Sequence, residues 1–254
     1  MPTYIAIPIA ARLSRTTRLL WCAGLVGCGA LAVAAPYRGA HAQMTMASVT
    51  KSGEPSTYAE LWQAAALAVD QGEFEQNGAV RSALYAKATN SARRAVALNA
   101  GDPEGHFHLS RALGRTALAL GPRERVKYGI EVRDEALAAL RLAPRHPGAL
   151  HVMGVWNAEI MRLNGISRAV ARAFLGGQVF GTASWNEAVR YLELAVEIEP
   201  ARLVHRLDLA RIYRDLDRTN DARAAYRAAI AAPATDPNDA VYRQQAIEEL
   251  KKVR

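Results

Sequence analysis

Cysteine, phenylalanine and tryptophan are scarce in this chain of 254 residues, which holds two Cys, four Phe and four Trp. Both cysteines, Cys22 and Cys28, lie near the N-terminus. A chain processed beyond them would have no disulfide, no thiolate metal ligand and no cysteine nucleophile. Eleven Pro and eighteen Gly are too few for a collagen-like or low-complexity chain, so a folded globular protein is expected.

Acidic residues are missing from residues 1–42, which contain four Arg and no Asp, Glu or Lys. The uncharged stretch 19–35, opening on Leu19 and closing on Ala35, follows the third Arg. Small residues then surround His41 just before Gln43. A basic start, an apolar middle and a small-residue exit are typical of a secretory signal peptide.

We therefore expect cleavage between Ala42 and Gln43 and a periplasmic or secreted product. Residues 43–56 are expected to form a polar linker, and residues 57–254 the folded domain. Two alternatives stay open: residues 19–35 could remain as a membrane anchor, or Cys28 could be lipidated, because Leu-Val-Gly-Cys resembles a bacterial lipobox.

Half of the basic excess belongs to this leader. The chain from Gln43 onward has 28 basic and 24 acidic residues, so its net charge is +4 rather than +8. Such a modest excess does not indicate a nucleic-acid partner.

Beyond the leader, apolar residues recur at spacings of three and four, which predicts helices and no strand. A short motif of small residues, followed by a proline-containing turn, recurs several times along the chain. The last two copies are 34 residues apart, which is the length of a tetratricopeptide repeat. Small residues fill the positions where paired helices approach closely. These slots are Ala136, Ala139, Gly154, Ala188, Ala195, Ala210, Ala222 and Ala229.

The sequence therefore predicts an all-α, tetratricopeptide-like solenoid of helical hairpins with a C-terminal capping helix. The second hairpin carries about ten extra residues relative to this repeat length. The third carries an insertion at 162–183, predicted to contain a short amphipathic helix through Ile166, Val170 and Phe174. This insertion is interpreted as packing between repeats or as a lid.

Residues 128–216 resemble the regulator of microtubule dynamics family. The resemblance is carried by VKYGI at 126–130, ALRLAP at 139–144 and ALHVMGVW at 149–156, then by Glu159, Arg168, Phe180-Gly181, Leu209-Ala210 and Tyr213. It implies a tetratricopeptide-like fold and an interaction role. Eukaryotic members are associated with microtubules and with mitochondria or membrane contacts, but the export signal argues against a microtubule partner here.

The first helix of each hairpin is expected to line a concave groove. Its inward positions are predicted to be Phe107, Arg111, Arg115, His151, Val155, Glu159, Arg211 and Arg214. Arginine forks among apolar neighbours suit an extended and acidic peptide. Alternatively, these arginines pair with neighbouring acids such as Asp215 and Asp217. Trp156 is interpreted as a core anchor between hairpins.

The sequence gives little indication of a catalytic or metal-binding site. His106 and His108 lie two residues apart on a helix and point in different directions, which makes them a poor metal pair. His146, His151 and His205 stand near helix starts and are interpreted as caps or solvent contacts. No G-x-S-x-G, H-E-x-x-H or phosphate-loop motif occurs.

We therefore expect no enzymatic activity, no metal and no cofactor, and a protein- or peptide-binding scaffold exported to the cell envelope. One alternative is a membrane-anchored component of envelope assembly. Another is a small-molecule binder or enzyme with a pocket under the 162–183 insertion, where Glu159, Arg162 and Arg168 would supply the polar groups.

Overall fold

The computed structural model describes residues 54–120, 122–163 and 178–253, and these ranges contain ten helices and no strand. The helices are α1 Tyr58–Gly72, α2 Gly78–Leu98, α3 Pro103–Ala119, α4 Pro122–Leu142, α5 Pro147–Arg162, α6 Gln178–Gly181, α7 Trp185–Ile198, α8 Leu203–Asp215, α9 Thr219–Ala231 and α10 Asp239–Leu250. All of them belong to one compact unit, Gly53–Arg254.

The helices pair into four hairpins, α1 with α2, α3 with α4, α5 with α7 and α8 with α9, and α10 packs on the last hairpin. The first helices of successive hairpins, α1, α3, α5 and α8, also lie beside one another. This arrangement confirms the predicted all-α, tetratricopeptide-like solenoid with its C-terminal capping helix.

The two expected insertions differ in form. In the second hairpin the extra residues lengthen the helices, since α3 and α4 have 17 and 21 residues whereas α8 and α9 have 13 each. The longer insertion joins α5 to α7 in the third hairpin. Its predicted helix through Ile166, Val170 and Phe174 lies outside the described residues, as do Arg168 and the whole leader.

Close helix contacts explain the small residues. The alanine slots at 136, 139, 188, 195, 210, 222 and 229 are fully buried. At Gly154 in α5, an added Cβ would stand 2.6 Å from Cγ of Leu192 in α7. The glycine is therefore required by the close approach of α5 and α7, and the predicted register is confirmed.

Two helix starts carry a Ser/Thr-x-x-Glu capping motif, Thr57-x-x-Glu60 before α1 and Ser184-x-x-Glu187 before α7. Thr57 accepts from the Glu60 amide at 3.3 Å and donates its own amide to the Glu60 carboxylate at 3.1 Å, so the box before α1 is complete. Ser184 accepts from the Glu187 amide at 3.1 Å. Its own amide, however, donates to the Asn157 side chain at 3.1 Å. The Ser184 motif therefore forms only half of a capping box, because the buried side chain of Asn157 in α5 takes the place of the glutamate.

Candidate functional site

The concave face holds a cavity of about 590 Å³, hereafter the concave cavity. Its lining comes mainly from α1, α3, α5 and α8, with further residues from α4 and α10. Apolar side chains such as Phe107, Val152 and Ile160 form much of its wall. Its volume lies within the range of roughly 300–1,000 Å³ that is usual for ligand pockets.

Most predicted groove residues do line this cavity. They are Phe107, Arg111, Arg115, His151, Val155 and Glu159. Arg211 and Arg162 line a second, neighbouring pocket of about 440 Å³. Arg214 is exposed and pairs with Glu249 at 3.2 Å. The structure thus gathers six of the eight predicted positions around one space.

The two ends of the solenoid meet beside the cavity. Asn238 donates through Nδ2 to the Asp70 carbonyl at 3.0 Å. Phe74, after α1, packs edge-on against Tyr242 of α10, with ring centroids 5.1 Å apart. Tyr242 also lines the cavity. This closure was not predictable from the sequence, because no local pattern shows that α10 reaches the first hairpin.

Four histidines line the cavity, namely His108, His146, His151 and His205. His146 does cap α5, since its Nδ1 accepts from the Ala149 amide at 3.1 Å. Its Nε2 lies 3.2 Å from Glu104, and His108 lies 3.5 Å from the same carboxylate. This carboxylate therefore joins α3 to the start of α5.

His151 and His205 form a second group. Their Nδ1 atoms lie 2.9 Å apart, and each Nε2 faces a carboxylate: Glu199 at 3.1 Å from His205, and Asp208 at 3.3 Å from His151. The expectation that these two histidines are only caps or solvent contacts is wrong. The signal was available in the helix register, because aligned first helices place His151 and His205 at neighbouring positions.

Burial and pairing set the ionisation of these groups. Burial lowers the pKa of His205 to about 4, and it also lowers the pKa of His108. Hydrogen bonds from His108 and His146 lower the pKa of Glu104 to about 2. Burial alone would raise the pKa of Asp208, but His151 and Arg211 more than offset it and hold that pKa well below its usual range. The cavity thus contains ionised carboxylates beside a neutral His205.

The model of the family described as "Regulator of microtubule dynamics protein 1-3" matches residues 38–254. The chain belongs to this family. Regulator of microtubule dynamics protein 3 of Bos taurus is 22% identical over 196 residues, covering 76% of this chain and 41% of the bovine protein. The chain therefore spans less than half the length of that curated relative.

One solved structure supports the fold of this family member. A thermophilic TPR protein of Thermus thermophilus superposes with a TM-score of 0.53 at 21% identity, covering 77% of this chain and 84% of that one. A monomeric IFIT1 mutant with Gppp-AAAA gives a TM-score of 0.37 at 16% identity, covering 76% and 56% of the two chains. The first likeness supports the tetratricopeptide-like fold, whereas the second is too distant to bear on it.

The arginines of the predicted groove are already engaged. Arg111 pairs with Asp70 of α1, and Arg115 pairs with Glu73 at 2.8 Å. Arg211 reaches Asp208 at 2.9 Å and Glu249 at 2.6 Å. Burial alone would lower the pKa of Arg211, but its hydrogen bonds to Glu249 and the charge of Asp208 raise it instead. An acidic ligand must therefore compete with carboxylates that hold these guanidinium groups.

Trp156 packs as a core anchor, as the sequence predicts. Its Nε1 donates to the Gly129 carbonyl at 2.7 Å, and its ring stacks on Phe180.

In the ranges that the structure describes, no group of three His, Cys, Asp or Glu side chains could hold a metal ion. Within the same ranges, no helix has the length and apolar character needed to cross a membrane.

Proposed function

We propose that this chain is a non-catalytic binding module that holds a short segment of a partner protein in its concave cavity. The observation that carries this proposal is the cavity itself, lined by the first helices of four hairpins. The tetratricopeptide-like fold suits a protein-binding scaffold, because its first helices present side chains along one concave surface.

The cavity limits the size and charge of this segment. A volume of about 590 Å³ accommodates a few side chains rather than a long extended peptide. Six carboxylates and three arginines line it, namely Asp70, Glu104, Glu159, Glu199, Asp208 and Asp236 against Arg111, Arg115 and Arg202. An acidic segment would gain the arginine forks only by displacing Asp70 and Glu73, so the charge balance favours an apolar or basic segment.

A photo-crosslinking experiment tests this binding role. A benzophenone amino acid replaces Val155 in the cavity or, as the control, Leu98, which is 60% exposed at the end of α2. We expect position 155 to crosslink one recurrent peptide segment, identified by mass spectrometry, and position 98 to crosslink none. The added substitution Val152→Trp should abolish the crosslink by filling the cavity. Equal crosslinking at both positions would contradict the proposal.

A small-molecule ligand is the second candidate, and the cavity volume favours it. Glu159 and Leu163 line the cavity at the point where α5 leads into the 162–183 insertion. Native mass spectrometry of the full chain would then show a bound species of small mass that Val155→Trp removes. If Glu159→Ala leaves every binding and turnover assay unchanged, the pocket under the insertion loses its candidate carboxylate.

We further propose export of the chain, with cleavage before Gln43. The basic, acid-free leader supports this proposal. Membrane retention by residues 19–35 and lipidation of Cys28 remain the alternatives, and an envelope-assembly role would follow from either. The name of the bovine relative refers to microtubule dynamics, and we extend only a binding role to this chain.

A further inference from the structure

A row of four side chains crosses the wall of the concave cavity, and we call it the carboxylate–histidine row. It consists of Glu199, His205, His151 and Asp208, in that order. The successive distances are 3.1 Å from Glu199 to His205 Nε2, 2.9 Å between the two Nδ1 atoms, and 3.3 Å from His151 Nε2 to Asp208. The row links α5, which carries His151, to α8, which carries His205 and Asp208.

Hydrogen counting fixes the charge of this row. An ionised carboxylate only accepts, so Nε2 of both rings must carry a hydrogen. Between the two Nδ1 atoms, one must donate and the other must accept. Two of the three contacts are hydrogen bonds, and the third, between His151 Nε2 and Asp208, is an ion pair that attracts only when Nε2 carries a hydrogen. For all three contacts to be favourable, the two rings need three hydrogens, so one imidazole is neutral and the other is an imidazolium.

We propose that His151 and His205 share one additional proton. This proton holds α5 against α8 and thereby regulates the affinity of the concave cavity for its ligand. Asp208 accepts from the charged ring of His151, and neutral His205 accepts from His151 and donates to Glu199. The row then holds two carboxylates and one imidazolium, and Arg211, at 2.9 Å from Asp208, offsets the remaining negative charge.

Both loss and gain of a proton break the row. Without the shared proton, two lone pairs face each other across 2.9 Å unless one ring turns its lone pair toward its carboxylate. With a second proton, two N–H groups and two positive charges face each other. The contact therefore persists only between these limits, and burial places the lower limit in acid by holding the pKa of His205 at about 4.

Each element packed against His151 and His205 also presents charged or titratable groups to this pair. They are Glu199 and Arg202 before α8, Asp208 and Arg211 on α8, Arg115 on α3, His146 at the start of α5, and Asp236 before α10. Arg202 pairs with Asp236 at 2.7 Å, and His146 contacts Glu104 at 3.2 Å. Among these neighbours, His146 is the other imidazole, so its signals must be assigned separately.

Nitrogen NMR of the full chain, labelled with ¹⁵N-histidine, tests the shared proton from about pH 5 to about pH 9. Near neutral pH we expect both ring nitrogens of His151 to appear protonated, and His205 to carry its hydrogen on Nε2 alone. Methyl signals of Val152 and Val204, which line the cavity, should shift together with the ring nitrogens of the histidine pair as the shared proton is lost.

Two variants and one control separate the outcomes. His205→Gln should remove the coupled methyl shift, and His151→Gln should do the same if the first variant folds poorly. His106→Gln is the control, because His106 contacts Glu135 at 2.6 Å and has no place in the row. Its methyl titration should match the wild type.

If His151 and His205 are both neutral near pH 7, the proposal is overturned. It is also overturned if the valine methyls titrate unchanged in both variants. The effect on ligand affinity rests on the proposed binding function, whereas the titration uses the free protein. Failure of the crosslinking experiment and failure of the shared proton are therefore distinguishable.

Discussion

Two glycine-to-alanine substitutions are expected to have opposite effects on stability, because α5 packs closely against α7 at Gly154 whereas α3 has room at Gly114. At Gly154, an added Cβ would stand 2.6 Å from Cγ of Leu192 and 3.2 Å from the Ala188 carbonyl oxygen. At Gly114 of α3, the nearest side-chain atom is Cγ1 of Val132 at 4.0 Å, an ordinary contact. Both glycines lie inside helices, so the same change meets a crowded site and an open one.

The magnitude follows from two opposing terms. Alanine is favoured over glycine in a helix interior by about 1 kcal/mol. Carbon atoms pack best at about 3.5–4.0 Å, so Leu192 must retreat by roughly 1 Å, and it is fully buried. Overpacking costs about 1–3 kcal/mol, and a fully buried neighbour at 2.6 Å places this site in the upper part of that range, at about 2–3 kcal/mol. We therefore expect Gly154→Ala to lower the free energy of unfolding by about 1–2 kcal/mol, and Gly114→Ala to raise it by about 0.5–1 kcal/mol.

Urea denaturation followed by far-ultraviolet circular dichroism measures both free energies under one condition. In thermal melts the two variants should differ by roughly 3–12 °C, since 1 kcal/mol corresponds to about 2–4 °C in a domain of this size. Gly154→Leu should lose more than Gly154→Ala. If Gly154→Ala proves as stable as Gly114→Ala, α5 and α7 do not approach as described, and the helix register is refuted.

Three further predictions concern acid stability, the core and export. The free energy of unfolding should fall as pH drops from about 6.5 to about 4, because the unfolded chain binds a proton that buried His205 excludes in the folded state. Titrated urea midpoints should show a His205 contribution of roughly 3 kcal/mol, so the loss should be smaller by that amount in His205→Gln, where buried His108 still contributes. Trp156→Phe should cost about 1–3 kcal/mol in urea denaturation, because the Gly129 carbonyl loses its 2.7 Å hydrogen bond, and an unchanged midpoint would contradict this. Intact mass of the chain expressed in a bacterium should correspond to a start at Gln43, whereas a lipid adduct on Cys28 would refute cleavage at that site.

Local patterns were enough to predict the repeat architecture. Buried small residues at fixed spacing, such as Gly154 and Ala195, reflect a rule that repeats in every hairpin, namely that paired helices approach closely. The same register placed Phe107, Arg111 and Val155 on the concave surface, where the structure has them. Such positions are predictable because helical periodicity alone decides which face of the first helix points inward.

Partners of the charged side chains were not predictable in this way. The sequence suggested Asp215 and Asp217 for the arginines, and Arg214 does lie 3.7 Å from Asp215. Its shorter contact, however, is to Glu249 of α10 at 3.2 Å. That carboxylate is 35 residues away along the chain. Distant pairings depend on how the hairpins stack, and no spacing rule reports them.

The sequence by itself determined the helical hairpins, the helix faces and the small-residue contacts, because these depend on neighbours within one or two turns. Only the tertiary structure decided that α10 meets the first hairpin, that each cavity arginine already has a carboxylate, and that His151 faces His205. The physical reason is that ion pairs and shared protons need atoms within about 3 Å. Small changes in the angle between successive hairpins move such atoms by more than that distance, whereas the helical period remains the same.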